Sequence, residues 1–238
     1  MNCAKKDDKY VKLLCWNIHG LNCEKIASLD ILDRHDILLF QETWHLQDNC
    51  NEIDNFVSYH YIRPNQNESA WRGAGGISVY IKDYLKDKVH PMKSSEDYIV
   101  WFKIDSHVCN NVNPIALGIV YFPPEGAVCN ARRGDYFDIL QEQVLHYKSS
   151  FDVLLMGDFN ARTKDLPDHV HECIGTDNPH ENIQPIDNSE LFTEYFDMPR
   201  ISHDKKSNLF GKRLVEVCKN PNLSIVNGRM EDNTGRFT

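Results

Sequence analysis

Along this chain, apolar runs repeatedly stop at polar residues able to bind ligands. Residues 11–16 turn almost wholly apolar and break at Asn17 and Gly20. Residues 36–40 run into Gln41-Glu42-Thr43, residues 115–122 end in Tyr121-Phe122 before Pro123-Pro124, and residues 151–156 give way to Gly157-Asp158-Phe159-Asn160. A run too apolar to alternate is what a strand covered on both faces requires, so this chain has to build sheets with layers on either side. Polar groups at the ends of such strands sit where loops vary over a rigid frame. Together these features point to a layered α/β architecture with its chemistry at strand ends.

The rest of the chain fits that plan. Ile26, Leu29, Ile31 and Leu32 recur at helical spacing, and further strands are expected over 57–62, 76–81 and 99–104. Phe137, Leu140, Val144 and Tyr147 step by three, four and three, which predicts an amphipathic helix over 135–147 packed on a sheet. A second helix over about 210–219 and a strand over 223–226 follow. The stretch 162–208 is polar apart from 191–196, and is long enough to be a functional excursion or to hold a short helix. With no internal repeat, 238 residues are most economically read as a polar extension, 1–10, and one domain, 11–238.

Composition narrows the function. Lys and Arg number 26 against 35 acids, a net charge of -9, which weighs mildly against bulk electrostatic binding of nucleic acid. A local groove built from Arg72, Lys82, Arg132, Arg133, Arg162 and Arg213 stays compatible with that total. No apolar run approaches the roughly 18 residues of a membrane span and the first ten residues are not signal-like, so an intracellular chain is expected. The 8 cysteines are spread evenly without a C-x-x-C pair, which favours free thiols over disulfides or zinc. The N-x-S matches at Asn67 and Asn222 are read as chance.

Glu42 directly follows a buried strand. A carboxylate there is costly unless paired, solvated or metal-bound, and an ion pair or an exposed loop acid explains it as well as a metal does. Asp158 and Asn160 lie two apart, which on an extended chain puts both side chains on one side, able to hold a water and a phosphate oxygen together. An Asx turn after Gly157 is the alternative.

Taken in order, Trp16-Asn17-Ile18-His19-Gly20, Gln41-Glu42-Thr43, Tyr121-Phe122-Pro123-Pro124 and Gly157-Asp158-Phe159-Asn160 resemble the signatures of the endonuclease/exonuclease/phosphatase superfamily. The likeness is strongest to endonuclease domains of non-LTR retrotransposons, through Asp158 to Arg162, Arg200 to Asp204, Asn208, Gly211, Leu214, Asn227-Gly228-Arg229 and Gly235 to Thr238. It implies a four-layered α/β sandwich of two facing mixed sheets with outer helices. It further implies Mg2+, with Mn2+ as a substitute, on Glu42 with Asn17 beside it. Asp158 would orient and deprotonate the attacking water, while Asn160 and Tyr121 hold phosphate oxygens. Arg162, Asn227 and Thr238 would bind substrate, with DNA expected and RNA or a small phosphoester as alternatives. A retrotransposon endonuclease would work in the nucleus.

Two departures stand out. His19 occupies a position where repair endonucleases of the superfamily carry an aspartate, in W-N-x-D-G; a surface histidine is the plain alternative. The family's later S-x-x-D-Y and S-D-H motifs do not occur, and Ser202-His203-Asp204 has the wrong order. The resemblance therefore implies a domain lacking its last strands, with feeble or no nuclease activity, since loss of one charge-stabilising donor costs on the order of 100- to 1000-fold. Three functions remain in play: a DNA-nicking endonuclease, a phosphatase or phosphodiesterase of the same fold acting on RNA, nucleotide or phospholipid, and a non-catalytic partial copy.

Overall fold

The computed structural model describes residues 10–27, 30, 32–46, 52–63, 73–93, 98–127, 135–168 and 200–229. The chain divides into two compact units, Met1–Asn160 and Ala161–Thr238.

The first unit contains two sheets. In one, β1 (Leu13–Asn17), β2 (Ile37–Gln41), β3 (Phe56–Tyr61) and β4 (Ile77–Lys82) lie in the order β1-β2-β4-β3. In the other, β5 (Val89–Pro91), β6 (Ile99–Ile104), β7 (Ile115–Tyr121) and β8 (Asp152–Asp158) lie in the order β5-β6-β7-β8. Both are mixed: β1 runs parallel to β2 and β7 parallel to β8, while the other pairs are antiparallel.

β2 shows why the apolar runs do not alternate. All five of its residues are buried. Ile37 and Leu39 enter the core between the sheets, with Val79 and Ile81 of β4 and Phe102, Leu117 and Ile119 of the second sheet. Leu38 and Phe40 point the other way, onto Ile18, Leu21, Ile26 and Tyr80 beneath α1 (Cys23–Ala27). Each fully buried side chain of this size contributes about 1.5–3 kcal/mol. On the far side, α2 (Tyr136–Lys148) covers the second sheet. Trp101 Nε1 donates to Gln143 Oε1 at 2.7 Å, and the Phe122 and Phe137 rings meet at 5.0 Å. Helix, sheet, sheet and helix make the expected four-layered sandwich.

Local chemistry sets the boundaries. Asp135 caps α2 by accepting from the backbone N–H groups of Phe137 and Asp138, so the predicted helix starts one residue later than its first polar position. The helical spacing around 26–32 resolves into α1 and a 3-10 turn at Leu32–Arg34. β8 runs past Met156 through Gly157, whose φ is 143° and where a Cβ would lie 1.9 Å from the Val120 carbonyl oxygen. Only glycine permits β7 and β8 to approach there.

In the second unit, α3 (Leu209–Lys219) begins at Asn208, whose side chain caps it by accepting from Gly211 N. Buried polar groups hold the irregular remainder. Arg229 forks onto Asp168 with both N–O distances at 2.8 Å, and Arg200 donates to Thr163 Oγ1 and to the Lys164 and Leu166 carbonyls. The strand expected over 223–226 is irregular. Instead of pairing in a sheet, Ile225 N donates to Asp168 Oδ2 at 2.6 Å. The apolar stretch 191–196, most of the 162–208 excursion and residues 1–9 lie outside the described residues.

Candidate active site

The site follows from strand parity. On β1, β2, β7 and β8, the residues facing the inter-sheet core are Leu13 and Cys15, Ile37 and Leu39, Ile115, Leu117 and Ile119, and Leu154 and Met156. Two further along each strand, on the same side, stand Asn17, Gln41, Tyr121 and Asp158. Asn17 is the register partner of Gln41 and Tyr121 of Asp158. The core therefore ends in a polar floor, and Asn17 Nδ2 bridges the sheets by donating to Asp158 Oδ2 at 2.8 Å.

Glu42 sits just beyond β2 with φ 53°. Tyr121 donates its hydroxyl to Oε1 at 2.9 Å, and His19 Nδ1 lies 2.8 Å from Oε2. The Glu42 side chain is 15% exposed, whereas that of His19 is 74% exposed. Burial alone pushes the Glu42 carboxyl up, but hydrogen bonds from Asn17, Tyr121 and His19, with the charge on His19, outweigh it and hold its pKa below the ordinary value. The loop carrying His19 is laced to the Glu42 segment by Ile18 N to Gln41 O (3.0 Å), Gly20 N to Glu42 O (2.7 Å) and Leu21 N to Thr43 O (3.0 Å).

Backbone strain gathers at this end of the unit. His19, Glu42, Trp44 and Asn160 all adopt left-handed φ values between 48° and 60°, a conformation that costs non-glycine residues free energy and concentrates at ligand-handling sites. The His19 and Trp44 rings meet at 4.3 Å, and at Gly20 a Cβ would lie 2.7 Å from the Trp44 indole.

Asp158 and Asn160 are arranged differently from the extended-chain expectation. β8 ends at Asp158 and Asn160 turns left-handed, so the two-residue alternation does not reach it. Asn160 N donates to Asp158 Oδ1 at 2.9 Å, an Asx-type turn, and its side-chain amide donates to the Phe122 carbonyl at 2.7 Å. Behind them, burial pushes the Cys15 thiol up to about 11, which leaves it protonated and inert.

Asn17, Glu42, Tyr121, Asp158 and Asn160 thus come together, joined by His19 and Gln41, both noted in the sequence at strand ends, and by Trp44, for which the sequence suggested no role. Arg162 and Asn227 belong to the second unit. The Arg162 backbone N–H donates to Asn208 Oδ1 at 2.9 Å, and Asn227 is exposed. Thr238 lies outside the described residues, as do Arg72, Arg132 and Arg133. Lys82 lies at the opposite end of β4 from the site, 3.8 Å from Asp36 and 3.2 Å from the Asp33 carbonyl. Ser202-His203-Asp204 braces a loop, with Asp204 accepting from Thr163 N at 2.9 Å.

Among the described residues no three His, Cys, Asp or Glu side chains cluster. The donors at this end are instead one partly open carboxylate, Glu42, with a second, Asp158, held beside it through Asn17. Such an all-oxygen set fits a hard cation that keeps most of its waters, and fits poorly the closed cage of a zinc site.

Layering and strand-end chemistry define a class, the two-sheet α/β sandwiches that gather acids and amides where parallel strands finish. Within it, this chain belongs to the Endonuclease/Exonuclease/phosphatase family, whose sequence profile matches residues 14–203 and whose members are hydrolases acting on phosphodiester bonds. Solved structures similar to it include a Neisseria 3' phosphatase, NExo, bound to product DNA hairpin (16% identity, TM-score 0.48, covering 66% of this chain and 60% of that one). The human Nocturnin catalytic domain with bound sulfate is similar at 16% identity and a TM-score of 0.43, covering 63% of this chain and 64% of that one. The Xenopus laevis APE2 catalytic domain is similar at 18% identity and a TM-score of 0.44, covering 72% and 62%. The chain thus spans 60 to 64% of the length of these three structures. No curated protein matches it.

Proposed function

We propose that this chain is a Mg2+-dependent phosphodiesterase of retrotransposon-endonuclease type that nicks DNA, and so acts in the nucleus. The observation that carries the reading is the hydrogen-bonded constellation of Asn17, Glu42, Tyr121 and Asp158 where the inter-sheet core turns polar. Glu42 and Asn17 would hold the cation, with Mn2+ as a substitute, and the bound cation would neutralise charge on the phosphoryl group.

The protein groups divide the remaining work. Asp158, fixed from Asn17 and Asn160, keeps carboxylate lone pairs free to orient a water and take its proton. Tyr121 is directed by Glu42 toward the same space, where its hydroxyl can meet a phosphate oxygen. Asn160 serves as a further phosphate contact, and Arg162, Asn227 and Thr238 as contacts along the substrate.

One observation favours a second substrate class. The net charge is -9 and Lys82 is engaged with Asp36, which thins the basic surface a DNA groove needs. RNA, a nucleotide or a phospholipid headgroup presents the same phosphoester to the same residues.

Relaxation of supercoiled plasmid to nicked circle, slow because the chain carries no S-D-H motif, should require Mg2+ and fall on the order of 100-fold or more in Glu42→Ala and Asp158→Asn. Mg2+ should also raise the melting temperature of the parent but not of Glu42→Ala. Plasmid nicking that persists in Glu42→Ala would overturn the assignment. Faster turnover of RNA or a small phosphodiester than of plasmid would move it to the second class.

A further inference from the structure

Lys25, on α1, reaches back over the loop that carries His19. Its Nζ donates to three consecutive carbonyls, Ile18 O at 2.5 Å, His19 O at 3.2 Å and Gly20 O at 2.9 Å. An ammonium has three N–H donors and no acceptor, so this tripod matches its capacity. Consecutive carbonyls in an extended chain alternate in direction. Here they converge because His19 and Gly20 are both left-handed, with φ values of 53° and 91°. Three carbonyl dipoles aimed at one point repel each other unless a cation sits among them.

The N–H side of the same loop is equally committed. Gly20 N and Leu21 N donate to the Glu42 and Thr43 carbonyls, and His19 N lies 3.3 Å from Asn17 Oδ1. The loop is therefore clamped between a lysine on one side and the Glu42 segment on the other. Lys25 itself is fixed at the start of α1, where Asn22 Oδ1 accepts from Lys25 N at 2.8 Å.

We infer that Lys25 is a positioning residue: its ammonium fills a three-carbonyl cation pocket and thereby holds His19, and through it Glu42 and Trp44, in their working geometry. The pocket is one for a primary ammonium. The effect on turnover rests on the nuclease reading above; the effect on geometry does not.

The test uses Lys25→Ala in the full chain, with propylammonium as the probe and tetramethylammonium, which has no N–H, as the control. If circular dichroism shows that the alanine variant does not fold, Lys25→Met replaces it, read without amine for the same shift of the indole signal and the same fall in kcat. The Trp44 indole N–H signal, assigned through Trp44→Phe, should move in the variant and return with propylammonium alone. The kcat for nicking should fall about 10- to 100-fold with KM within about twofold, and recover with the same amine. An indole signal unchanged from the parent would overturn the inference, as would one that neither ammonium restores. If the parent does not nick DNA, the nuclease reading fails while the indole signal still decides the role of Lys25.

Discussion

β2 has an acid at each end, and the two are housed differently. At its amino end Asp36 is 0% exposed, accepts from Lys12 N at 2.9 Å and lies 3.8 Å from the Lys82 ammonium. At its carboxyl end Glu42 is partly open, and its partners are the Asn17 amide, a tyrosine hydroxyl and a largely exposed histidine. The first acid is satisfied within the fold and serves as an anchor. The second keeps acceptor capacity facing outward, as binding requires.

The comparison can be broken by exchanging the outcomes. Asp36→Asn leaves Lys82 without its buried partner and should lower the unfolding free energy by about 3–5 kcal/mol in urea, with kcat of the folded protein within about twofold of the parent. Glu42→Ala should do the reverse: activity falls on the order of 100- to 1000-fold while the urea midpoint changes by less than about 1 kcal/mol. If Glu42→Ala unfolds the protein and Asp36→Asn silences it, the division of roles is wrong.

Smaller effects sharpen it. Tyr121→Phe removes one donor to a charged acceptor, worth about 1.5–3 kcal/mol, and should bring the Glu42 carboxyl back toward its ordinary range in a carbon-13 titration. The smallest effect is on stability against pH. Burial raises the Glu42 pKa and its hydrogen bonds lower it by more, so the folded value lies below 4.5. Its charged form therefore contributes stability that is complete above about pH 5 and fades as pH falls through the folded value. The stability gap between the parent and Glu42→Gln should close over that acidic range; a gap that widens there contradicts the geometry.

The apolar runs of β2 and β6 were legible because both faces of each strand are buried, which removes alternation and leaves a bare hydrophobic signal. The site was legible for a related reason: Asn17, Tyr121 and Asp158 are the first polar positions on faces that are otherwise core. β5 was not, since three residues give no period and Pro91 argues against a strand. Residues 223–226 carry apolar positions like a strand, but Asp168 takes the Ile225 N–H that a sheet would have used. Lys25 was invisible in sequence because its partners are carbonyls, which every residue has. Of the two arrangements the sequence allowed for Asp158 and Asn160, the Asx turn is the one formed, because a left-handed Asn160 ends the alternation.

The order of the sheets has a consequence for synthesis. Among the described residues, β1 to β4 make one sheet and β5 to β8 the other. During translation the first sheet can pair before its partner exists, with Ile37, Leu39, Val79 and Ile81 facing water. The covering sheet ends about 76 residues after β4, a delay of roughly 4–15 s at ribosomal rates. Over that interval the nascent chain displays an apolar sheet face, a natural site for a chaperone, and Asn17 and Glu42 wait for Tyr121 and Asp158 to emerge.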